Sequence, residues 1–333
     1  MSKLPSFLKR NIRVLDVHAH EGVDPLLYLT HSFPYCRSLR DSCEEALRFG
    51  ITHTVTFPFV TSVAYHLPSL QRAKVRLDRK IGDAPMHFEN EQMLRQLYEI
   101  FPAYVRRCIP FAAVDTLRET RRQVRVLEKL LDRYPFYGLK VHPRGAQAHV
   151  LTLAHEGRPL LEFARAHDLP ILIHAAVTPI DPLSQASDIF DLARMNPKLR
   201  FCAAHFCGFH QKLFEEADRL ENVWVDSAAM SIGCDLVAQK SKLYESGPAR
   251  VPSNYRRPPV VFRDLAERFP DTFMWGTDDP AHTWVSRTVY PSGRVERLEL
   301  WGSMKREKEL LSLVRGRLRR KVAYENALRF IEG

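Results

Sequence analysis

Two histidines, His18 and His20, follow an apolar run at 12–17 and are separated by a single residue. The run is rich in β-branched and other apolar side chains, which predicts a buried strand. Because side chains two residues apart lie on the same side of a strand, both imidazoles are expected to face one point. Two imidazoles at the carboxyl end of a strand can bind one metal ion from a rigid support. The pair alone is a common chance pattern, so its meaning depends on ligands elsewhere.

Further polar side chains interrupt or end apolar segments later in the chain. Lys140 lies within one such segment, and His174, His205 and Asp278 each end another. A buried lysine, histidine or carboxylate costs free energy unless it is paired or binds a metal. One economical explanation is that these side chains surround a metal ion together with the first two histidines.

The elements that must position these residues follow one repeating scheme, in which a short apolar strand leads through a loop to an amphipathic helix. Eight strands alternating with helices predict a parallel (β/α)8 TIM barrel. The rival architecture, an open doubly wound sheet, lacks the glycine-rich phosphate loop expected after a strand. In a barrel, function lies at the carboxyl ends of the strands, where the polar residues are found. The predicted strands are 12–17, 52–57, 107–114, 136–142, 170–175, 199–205, 223–227 and 272–278.

Local signals place several helices between these strands. The segment 41–44 resembles a capping box, and Gly50 is predicted to end the helix that begins there. Pro159 occupies a first helical position, which proline favours. The basic segment 305–321 alternates with leucine and valine, which predicts an amphipathic helix with a solvated basic face.

Two segments do not follow the strand-and-helix alternation. The first, at 60–91, follows the second strand, and the second, at 229–258, follows the seventh. We interpret both as insertions that shape the pocket at the mouth of the barrel. The whole chain, 1–333, is interpreted as one domain.

The composition is typical of a soluble globular protein. Of 333 residues, 45% are hydrophobic and 26% are charged, and no segment has the roughly 18 apolar residues of a membrane span. The N-terminal residues lack the apolar core of a signal peptide. Six cysteines without paired spacing are interpreted as reduced thiols. We therefore expect a cytoplasmic protein.

The formal net charge of +10 raises the question of a nucleic-acid partner. The chain has no zinc-finger spacing, aromatic RNA-binding signature or basic arm, so this partner is not favoured. Positive charge would equally attract an anionic small-molecule substrate. Apolar and basic stretches near the C-terminus leave a homodimer open.

Three motifs carry a resemblance to a known family. They are Gly-Leu-Lys-Val-His-Pro at 138–143, Leu-Pro-Ile-Leu-Ile-His at 169–174 and Trp-Gly-Thr-Asp-Asp-Pro at 275–280. Together with the first histidine pair, they resemble the amidohydrolase superfamily, in the amidohydrolase-related branch that also contains decarboxylases. The resemblance covers nearly the whole chain and says little about the substrate.

The resemblance implies a set of metal ligands. His18, His20, His174 and Asp278 match ligand positions of the family. His205 matches a histidine that binds a second metal in binuclear members, and that polarises or protonates the substrate in mononuclear members. The cofactor implied is one or two divalent ions, zinc first, with manganese, iron or nickel as alternatives.

Lys140 bears on the choice between one metal and two. In binuclear relatives, a lysine on the fourth strand reacts with carbon dioxide, and the resulting carbamate bridges the metals. Lys140 matches that position and favours an N-carboxylated lysine. A free ammonium there would instead repel metal and favour an anionic substrate.

The resemblance implies a metal-dependent hydrolase that cleaves an amide, ester, lactone or thioester of a small organic molecule. In this interpretation a metal-activated water attacks, Asp278 accepts its proton, and a metal or His205 polarises the carbonyl. The alternative is a mononuclear non-oxidative decarboxylase, against which Lys140 argues. A third alternative, a basic binding protein without catalysis, is disfavoured by the full set of polar residues.

Other residues near the strand ends are weaker candidates. Arg144 is a candidate carboxylate-binding residue and His142 a candidate substrate contact, each balanced by a loop or packing role. Asp226 is interpreted as a structural hydrogen-bonding residue and Asp279 as a loop residue. His282 follows the eighth strand and is the best candidate among the remaining histidines.

Overall fold

The computed structural model describes residues 4–60, 84–241, 249–290 and 292–333, together with the two short strands Ala64–Tyr65 and Leu77–Asp78. Eight parallel strands form the centre of the fold, and the third consists of two pieces on either side of Phe111. The strands are β1 (Leu15–Val23), β2 (His53–Pro58), β3 (Cys108–Pro110 and Ala112–Val114), β4 (Leu139–Val141), β5 (Ile171–Ile173), β6 (Phe201–Ala203), β7 (Val223–Asp226) and β8 (Phe273–Met274).

Hydrogen bonds join these strands into a closed ring. Each strand from β1 to β8 pairs in parallel with the next, with β2 bound to the first piece of β3 and β4 bound to the second. The seam between β1 and β8 is closed by Val17 N donating to Trp275 O (3.3 Å) and Asp278 N donating to His18 O (2.8 Å). The eight expected parallel strands are confirmed.

Helices surround the strands and connect them. Val124, Leu127 and Leu131 pack together against the core, as the helical spacing predicts. Pro159 lies in the first turn of its helix, also as expected. The helices are α1 (Leu39–Arg48), α2 (His87–Arg95), α3 (Thr120–Arg133), α4 (Arg158–Ala166), α5 (Ala186–Met195), α6 (Gln211–Asp218), α7 (Met230–Ala238), α8 (Pro258–Arg268), α9 (Met304–Glu309), α10 (Gly316–Arg320) and α11 (Asn326–Glu332).

Shorter helical segments complete the connections between these elements. Two of them, Pro25–Leu29 and Pro143–Ala146, follow β1 and β4 directly and begin with proline, whose fixed φ suits a first helical position. None of the helices in the described ranges is both long and apolar enough to cross a lipid bilayer. The remaining short segments are Ser6–Lys9, Gln96–Ile100, Pro102–Tyr104, Val150–Ala154, His205–Phe209, Leu310–Leu313 and Lys321–Glu325.

The period of two along each strand separates two hydrophobic layers. Ile171 and Ile173 of β5 belong to the layer between strands and helices, whereas Leu172 belongs to the cluster inside the ring. Lys140 pairs directly with Leu172 and therefore occupies an inward position among apolar neighbours. The barrel thus directs one fully buried lysine toward its own axis.

Helix α1 begins differently from the expectation. Its N-cap is Ser38, whose hydroxyl accepts a hydrogen bond from Asp41 N (3.1 Å), so the capping box expected at 41–44 is wrong by one turn. Ser38 is as good an N-cap as Asp41, and three more residues then join the helix. Gly50 has φ +71° just beyond the helix end, as a C-terminal glycine should.

The single helix expected at 305–321 is wrong. The chain runs from α9 through the turn Leu310–Leu313 and breaks at Val314 and Arg315, which are extended, before α10 begins. Val314 is buried, and Gly316 at the break has a low helix propensity. Burial of this apolar residue therefore outweighs helical continuity.

An antiparallel hairpin after β8 was not expected. Strands β9 (Trp284–Val289) and β10 (Val295–Leu300) pair with each other, and β9 also pairs with the short strand Ser32–Phe33. Another short strand, Cys36–Arg37, pairs with the end of β1. The two strands of the hairpin do not alternate regularly between apolar and polar residues, so the sequence does not indicate strands there.

The two expected insertions are only partly described. Most of 60–91 lies outside the described residues, apart from the strand residues named above and the start of α2. The segment 229–258 begins with the buried helix α7, and 242–248 lie outside the described residues. The pocket-shaping role of both segments and the single-domain organisation stay predictions.

Helix α9 buries a carboxyl group that the sequence did not single out. Glu307 is fully buried, and its side chain accepts hydrogen bonds from the amide nitrogen (3.1 Å) and hydroxyl of Ser231 on α7. Burial raises its pKa from 4.5 to about 8, and the bonds from Ser231 offset only part of that rise. Glu307 is therefore protonated in the folded protein at neutral pH.

Replacing Glu307 by glutamine should make stability less dependent on pH. Between pH 4.5 and 8 the folded state holds a proton that the unfolded state releases, so raising the pH destabilises the wild type. This carboxyl should contribute a loss of about 1 kcal/mol per pH unit in that interval. Denaturant unfolding at pH 5, 6, 7 and 8 should show the stability of Glu307→Gln rising relative to wild type with pH. Glu309→Gln, exposed on the same helix, is the control, and parallel pH profiles for Glu307→Gln and wild type would contradict the assignment.

Candidate metal centre

Three side chains from the two strands at the seam of the barrel converge on one point. His18 and His20 come from β1, and Asp278 follows β8; all three are buried. Asp278 Oδ1 lies 3.2 Å from His18 Nε2 and 3.3 Å from His20 Nε2, and the two Nε2 atoms are 3.3 Å apart. Ligands about 2.1 Å from a tetrahedral metal ion are separated by ~3.3 Å. Asp278 Oδ1 has no hydrogen-bond donor among the described residues. The three atoms therefore fit a divalent metal.

Asp226 at the end of β7 fixes the orientation of His18. Its Oδ2 lies 2.9 Å from His18 Nδ1, and its Oδ1 accepts hydrogen bonds from His205 N (2.9 Å) and Ala228 N (3.0 Å). A carboxylate at Nδ1 holds the proton there and leaves the Nε2 lone pair free for a ligand. Asp226 has the hydrogen-bonding role that the sequence favoured.

Lys140 reaches the same three-residue cluster from β4. Its side chain is fully buried, and Nζ lies 2.9 Å from His18 Nε2 and 4.4 Å from the centre of the Phe57 ring. Burial lowers the pKa of Lys140 to about 8, while the nearby Asp226 and Asp278 carboxylates partly offset that shift. The amine is thus easier to deprotonate than a solvated lysine, and it contacts a ligand atom.

His174 and His205 form a second pair beside the cluster. His174 Nδ1 lies 2.8 Å from His205 Nε2, and His205 Nδ1 lies 3.2 Å from Ala228 O and 4.0 Å from Asp278 Oδ2. Burial, together with the neighbouring His205 and Lys140, keeps the pKa of His174 well below its ordinary value, so this imidazole is neutral. The six expected site residues therefore lie next to one another, but among the described residues only His18, His20 and Asp278 form a compact group of possible ligands.

The two expected substrate contacts follow β4. The ring of His142 stacks on His174 with centroids 4.0 Å apart, and His142 Nδ1 accepts a hydrogen bond from Gly145 N (2.9 Å). Arg144 lies in the short helix Pro143–Ala146 and is exposed. His142 therefore contacts both the turn at Gly145 and the candidate ligand His174. The guanidinium of Arg144 is accessible to a group that approaches from solvent.

Two of the site residues have strained backbones. His205 has φ +63° and Asp278 has φ +64°, in the left-handed region that side chains other than glycine disfavour. Such strain persists only where neighbouring structure holds it, and it is concentrated at functional sites. Next to Asp278, Thr277 is held by Asp16 of β1, whose carboxylate accepts from Thr277 N (2.9 Å) and Oγ1 (2.5 Å).

Sequence reasoning left three buried aspartates near the cluster out of the site. Asp16 lies behind it, and Asp279, expected to be a loop residue, is buried, with Oδ2 accepting from Arg37 Nε (2.9 Å) and Ser42 Oγ (2.7 Å). Asp181 follows β5, with Oδ2 3.6 Å from His174 Nε2. Asp16 interrupts the apolar sequence of β1, which is a usable signal. Asp181 lies in a loop and has none.

Two further polar residues lie beside the cluster. Glu21 directly follows the first histidine pair, is buried, and accepts a hydrogen bond from Thr56 of β2. Burial raises the pKa of Glu21 to about 8. His282 is buried one turn after Asp278, and His282 N donates to Asp278 O (3.0 Å). His282 therefore lies beside the site, where its position after β8 predicted it.

A family model of amidohydrolases matches residues 16–332. The chain belongs to the amidohydrolase family. The resemblance drawn from the sequence motifs is thereby confirmed. A search of curated proteins finds no match to this sequence.

Solved structures share the fold of this amidohydrolase. A 5-carboxyvanillate decarboxylase from Sphingomonas paucimobilis is 11% identical, with a TM-score of 0.59 over 96% of this chain and 99% of that one. A 2,6-dihydroxybenzoate decarboxylase from Rhizobium is 12% identical, with a TM-score of 0.57 over 96% and 98%. A dihydroorotase from Campylobacter jejuni is 14% identical, with a TM-score of 0.52 over 95% and 82%. At these identities the similarity concerns the fold.

Asp226→Asn should weaken metal binding by this amidohydrolase. Asparagine has one side-chain oxygen where aspartate has two, so it cannot accept from both His18 Nδ1 and the two backbone N–H groups. In one orientation of the amide, His18 Nδ1 loses its acceptor and the Nε2 lone pair is no longer fixed. In the other, the backbone that positions the side chain loses its acceptor. Loss of such a supporting hydrogen bond lowers metal affinity about tenfold to a hundredfold. Competition of Zn²⁺ between the protein and a fluorescent chelator measures this, with thermal unfolding of the metal-free protein as a check on folding.

The control for that variant is Asp132→Asn on the exposed face of α3, which makes the same chemical change far from the cluster. It should retain wild-type affinity. Equal affinity of Asp226→Asn and wild type would contradict the orienting role of Asp226.

Proposed function

We propose that this amidohydrolase is a metal-dependent hydrolase of a small organic substrate, with an amide, ester, lactone or thioester as the scissile group. The observation that carries the proposal is the position of Lys140, fully buried with Nζ 2.9 Å from His18 Nε2. His18, His20 and Asp278 are proposed to hold one divalent ion, with zinc first among the candidates.

A free lysine at this position conflicts with metal binding. Lys140 Nζ and a metal ion would both use the lone pair of His18 Nε2, and an ammonium would also repel the ion. Reaction of the neutral amine with carbon dioxide resolves the conflict, because it forms an N–C bond, releases one proton and leaves an anionic carbamate. A pKa of about 8 makes the neutral amine accessible near neutral pH. We therefore propose that Lys140 is N-carboxylated.

The metal would supply a more acidic water and an electrophile for the scissile carbonyl. Asp278 is proposed to accept the proton of the attacking water. Burial by itself raises the pKa of Asp278, but the neighbouring His18 and His205 hold it below its ordinary value, so the carboxylate is ionised and able to accept. Phe57 contacts both histidines of β1 and limits water around the cluster.

His174 and His205 are proposed to complete the site on the side of β5 and β6. With a second ion, both imidazoles would act as ligands, and with one ion His205 would polarise the carbonyl. His205 Nδ1 lies 3.2 Å from Ala228 O, which favours a proton on Nδ1 and a lone pair on Nε2, the atom that lies 2.8 Å from His174 Nδ1. This tautomer suits a metal ligand, whereas polarising a carbonyl would require a proton on Nε2.

The substrate is proposed to be a small anionic molecule. Arg144 is exposed directly after β4, and the chain carries a formal net charge of +10, both of which favour a carboxylate. His142, stacked on His174, is proposed as a further substrate contact.

The composition supports a cytoplasmic location.

A non-oxidative decarboxylase is the second candidate. The contact of 2.8 Å between His174 and His205 leaves a compact cluster of only three residues, which suits one ion and a separate polarising histidine. Two of the structures with a similar fold are described as decarboxylases of aromatic carboxylates. Lys140 would then meet the substrate carboxylate as an ammonium.

Lys140→Met should separate the two candidates. For the hydrolase, wild-type protein purified with zinc and bicarbonate should hold close to two ions per chain, and the variant one or fewer, because the bridging carbamate is lost. Hydrolysis of a panel of lactones, amides and esters should fall at least about a thousandfold. Metal content is measured by elemental analysis, and the carbamate by ¹³C NMR after addition of ¹³C-bicarbonate.

Lys129→Met, an exposed lysine of α3, is the control for the same substitution. One ion in both wild type and Lys140→Met, no carbamate signal, and carbon dioxide release from an aromatic carboxylate would establish the decarboxylase and exclude the hydrolase.

Arg144→Gln should raise the KM for an anionic substrate about tenfold to a hundredfold with little change in kcat. An exposed guanidinium that contacts a remote carboxylate strengthens substrate binding and transition-state binding equally. Steady-state kinetics with a charged substrate and its neutral amide or methyl ester measures the effect. If Arg144→Gln keeps the wild-type KM for the charged substrate, Arg144 does not contact the substrate.

A further inference from the structure

Strand β10 is an open edge of the small antiparallel sheet. The sheet order is β10, β9 and the short strand Ser32–Phe33, so among the described residues β10 pairs on one side only. It is six residues long and contains no proline. Its register with β9 runs without a bulge from Val295 to Leu300. A straight, unpaired edge of this length is a template for another strand.

The direction of the free backbone groups follows from the turn of the hairpin. Tyr290 N donates to Arg294 O (2.9 Å), so the even-numbered residues of β10 direct their N–H and C=O groups toward β9. The backbone groups of the odd-numbered residues Val295, Arg297 and Glu299 therefore point away from the sheet. A second strand would bond to these residues.

The side chains of β10 divide into two faces. Leu298 and Leu300 pack against α7 and belong to a small hydrophobic cluster with Ile232. The opposite face is exposed, with Val295 50% and Trp301 60% accessible. In order, the exposed face consists of Val295, Arg297, Glu299 and Trp301.

This exposed face is complementary to itself. Consider two copies of this strand paired antiparallel about a two-fold axis at Leu298. Arg297 of each copy then lies opposite Glu299 of the other, which gives two ion pairs, and Val295 of each lies opposite Trp301 of the other. Moving the centre to Arg297 would place two arginines opposite each other. Within one chain, Arg297 already lies opposite Arg287 of β9, a like-charged pair that a glutamate from the other side would relieve.

The local charge also favours a second copy over a charged partner. The chain carries a formal net charge of +10, so two copies repel each other over most of their surfaces. The segment 294–299 contains two arginines and two glutamates and is neutral. Contact through this edge therefore avoids that repulsion, whereas a nucleic acid or an acidic protein would find no positive excess here.

We propose that β10 pairs with β10 of a second copy of this chain across a two-fold axis at Leu298. The pairing joins two three-stranded sheets into one of six strands. The exposed edge is thereby covered, and Val295 and Trp301 are removed from water. This interface is independent of the reaction catalysed at the metal centre.

Reversal of single charges should dissociate the dimer, and reversal of both should restore it. Arg297→Glu turns both Arg297–Glu299 pairs across the interface into pairs of glutamates, and Glu299→Arg turns both into pairs of arginines. Each single variant should therefore weaken dimerisation by about tenfold or more. The double variant Arg297→Glu/Glu299→Arg recreates both attractive pairs. Sedimentation velocity at several micromolar concentrations, with light scattering after gel filtration, measures the dissociation constant.

Arg125→Glu on the exposed surface of α3 is the control for the change in net charge. A monomeric wild type, or a double variant that dissociates as readily as the single ones, would overturn the proposal. Circular dichroism confirms that each variant is folded.

The register has its own test by disulfide cross-linking. In a background of Cys36→Ser, which removes an exposed thiol, Leu298→Cys should form a cross-linked dimer on oxidation because the two residues face each other at the axis. Arg297→Cys should not, since its counterpart is two positions away along the partner. Cross-linking of Arg297→Cys alone, seen on non-reducing gels, would refute the register centred on Leu298.

Discussion

The seam between the first and last strands of the barrel is the constraint on which the site depends. His18 and His20 lie on one side of it and Asp278 on the other, so the three candidate ligands meet only when the ring is closed. Backbone hydrogen bonds across the seam hold the ring closed. The carboxylate of Asp16 also accepts hydrogen bonds from the backbone nitrogen and the hydroxyl of Thr277. Because the strands that carry these three side chains also close the fold, the candidate metal site is complete only in the closed barrel.

Burial of charge is the second physical theme of the molecule. Lys140 inside the ring, Asp16 behind the cluster and His174 beside it are buried, and burial shifts the pKa of each toward the value that favours its neutral form. Asp226 offsets this cost for its neighbours, since it accepts from one imidazole and two backbone amides. The site is thus a network in which few groups can change charge alone.

The sequence predicted the parts of the fold that depend on periodicity. Alternation along a strand singled out the histidine pair, and polar residues within or at the end of later apolar strands singled out Lys140 and Asp278. It did not predict features that depend on distant partners. Asp279 is buried because Arg37 of the strand Cys36–Arg37 and Ser42 of α1 both donate hydrogen bonds to it. The helix expected at 305–321 breaks because Val314 is buried in the core. Neither cause is visible in a local window of residues.

The left-handed backbone at Asp278 and His205 implies a trade-off between stability and activity. Glycine at either position would relieve a conformational cost of about 1 kcal/mol, so selection for stability alone would not retain an aspartate or a histidine there. Natural sequences remain only slightly above the stability that they need, and such residues are kept where function requires them. Among the residues with positive φ, these two carry side chains of the candidate site, so replacing either by glycine would gain stability at the expense of the proposed chemistry.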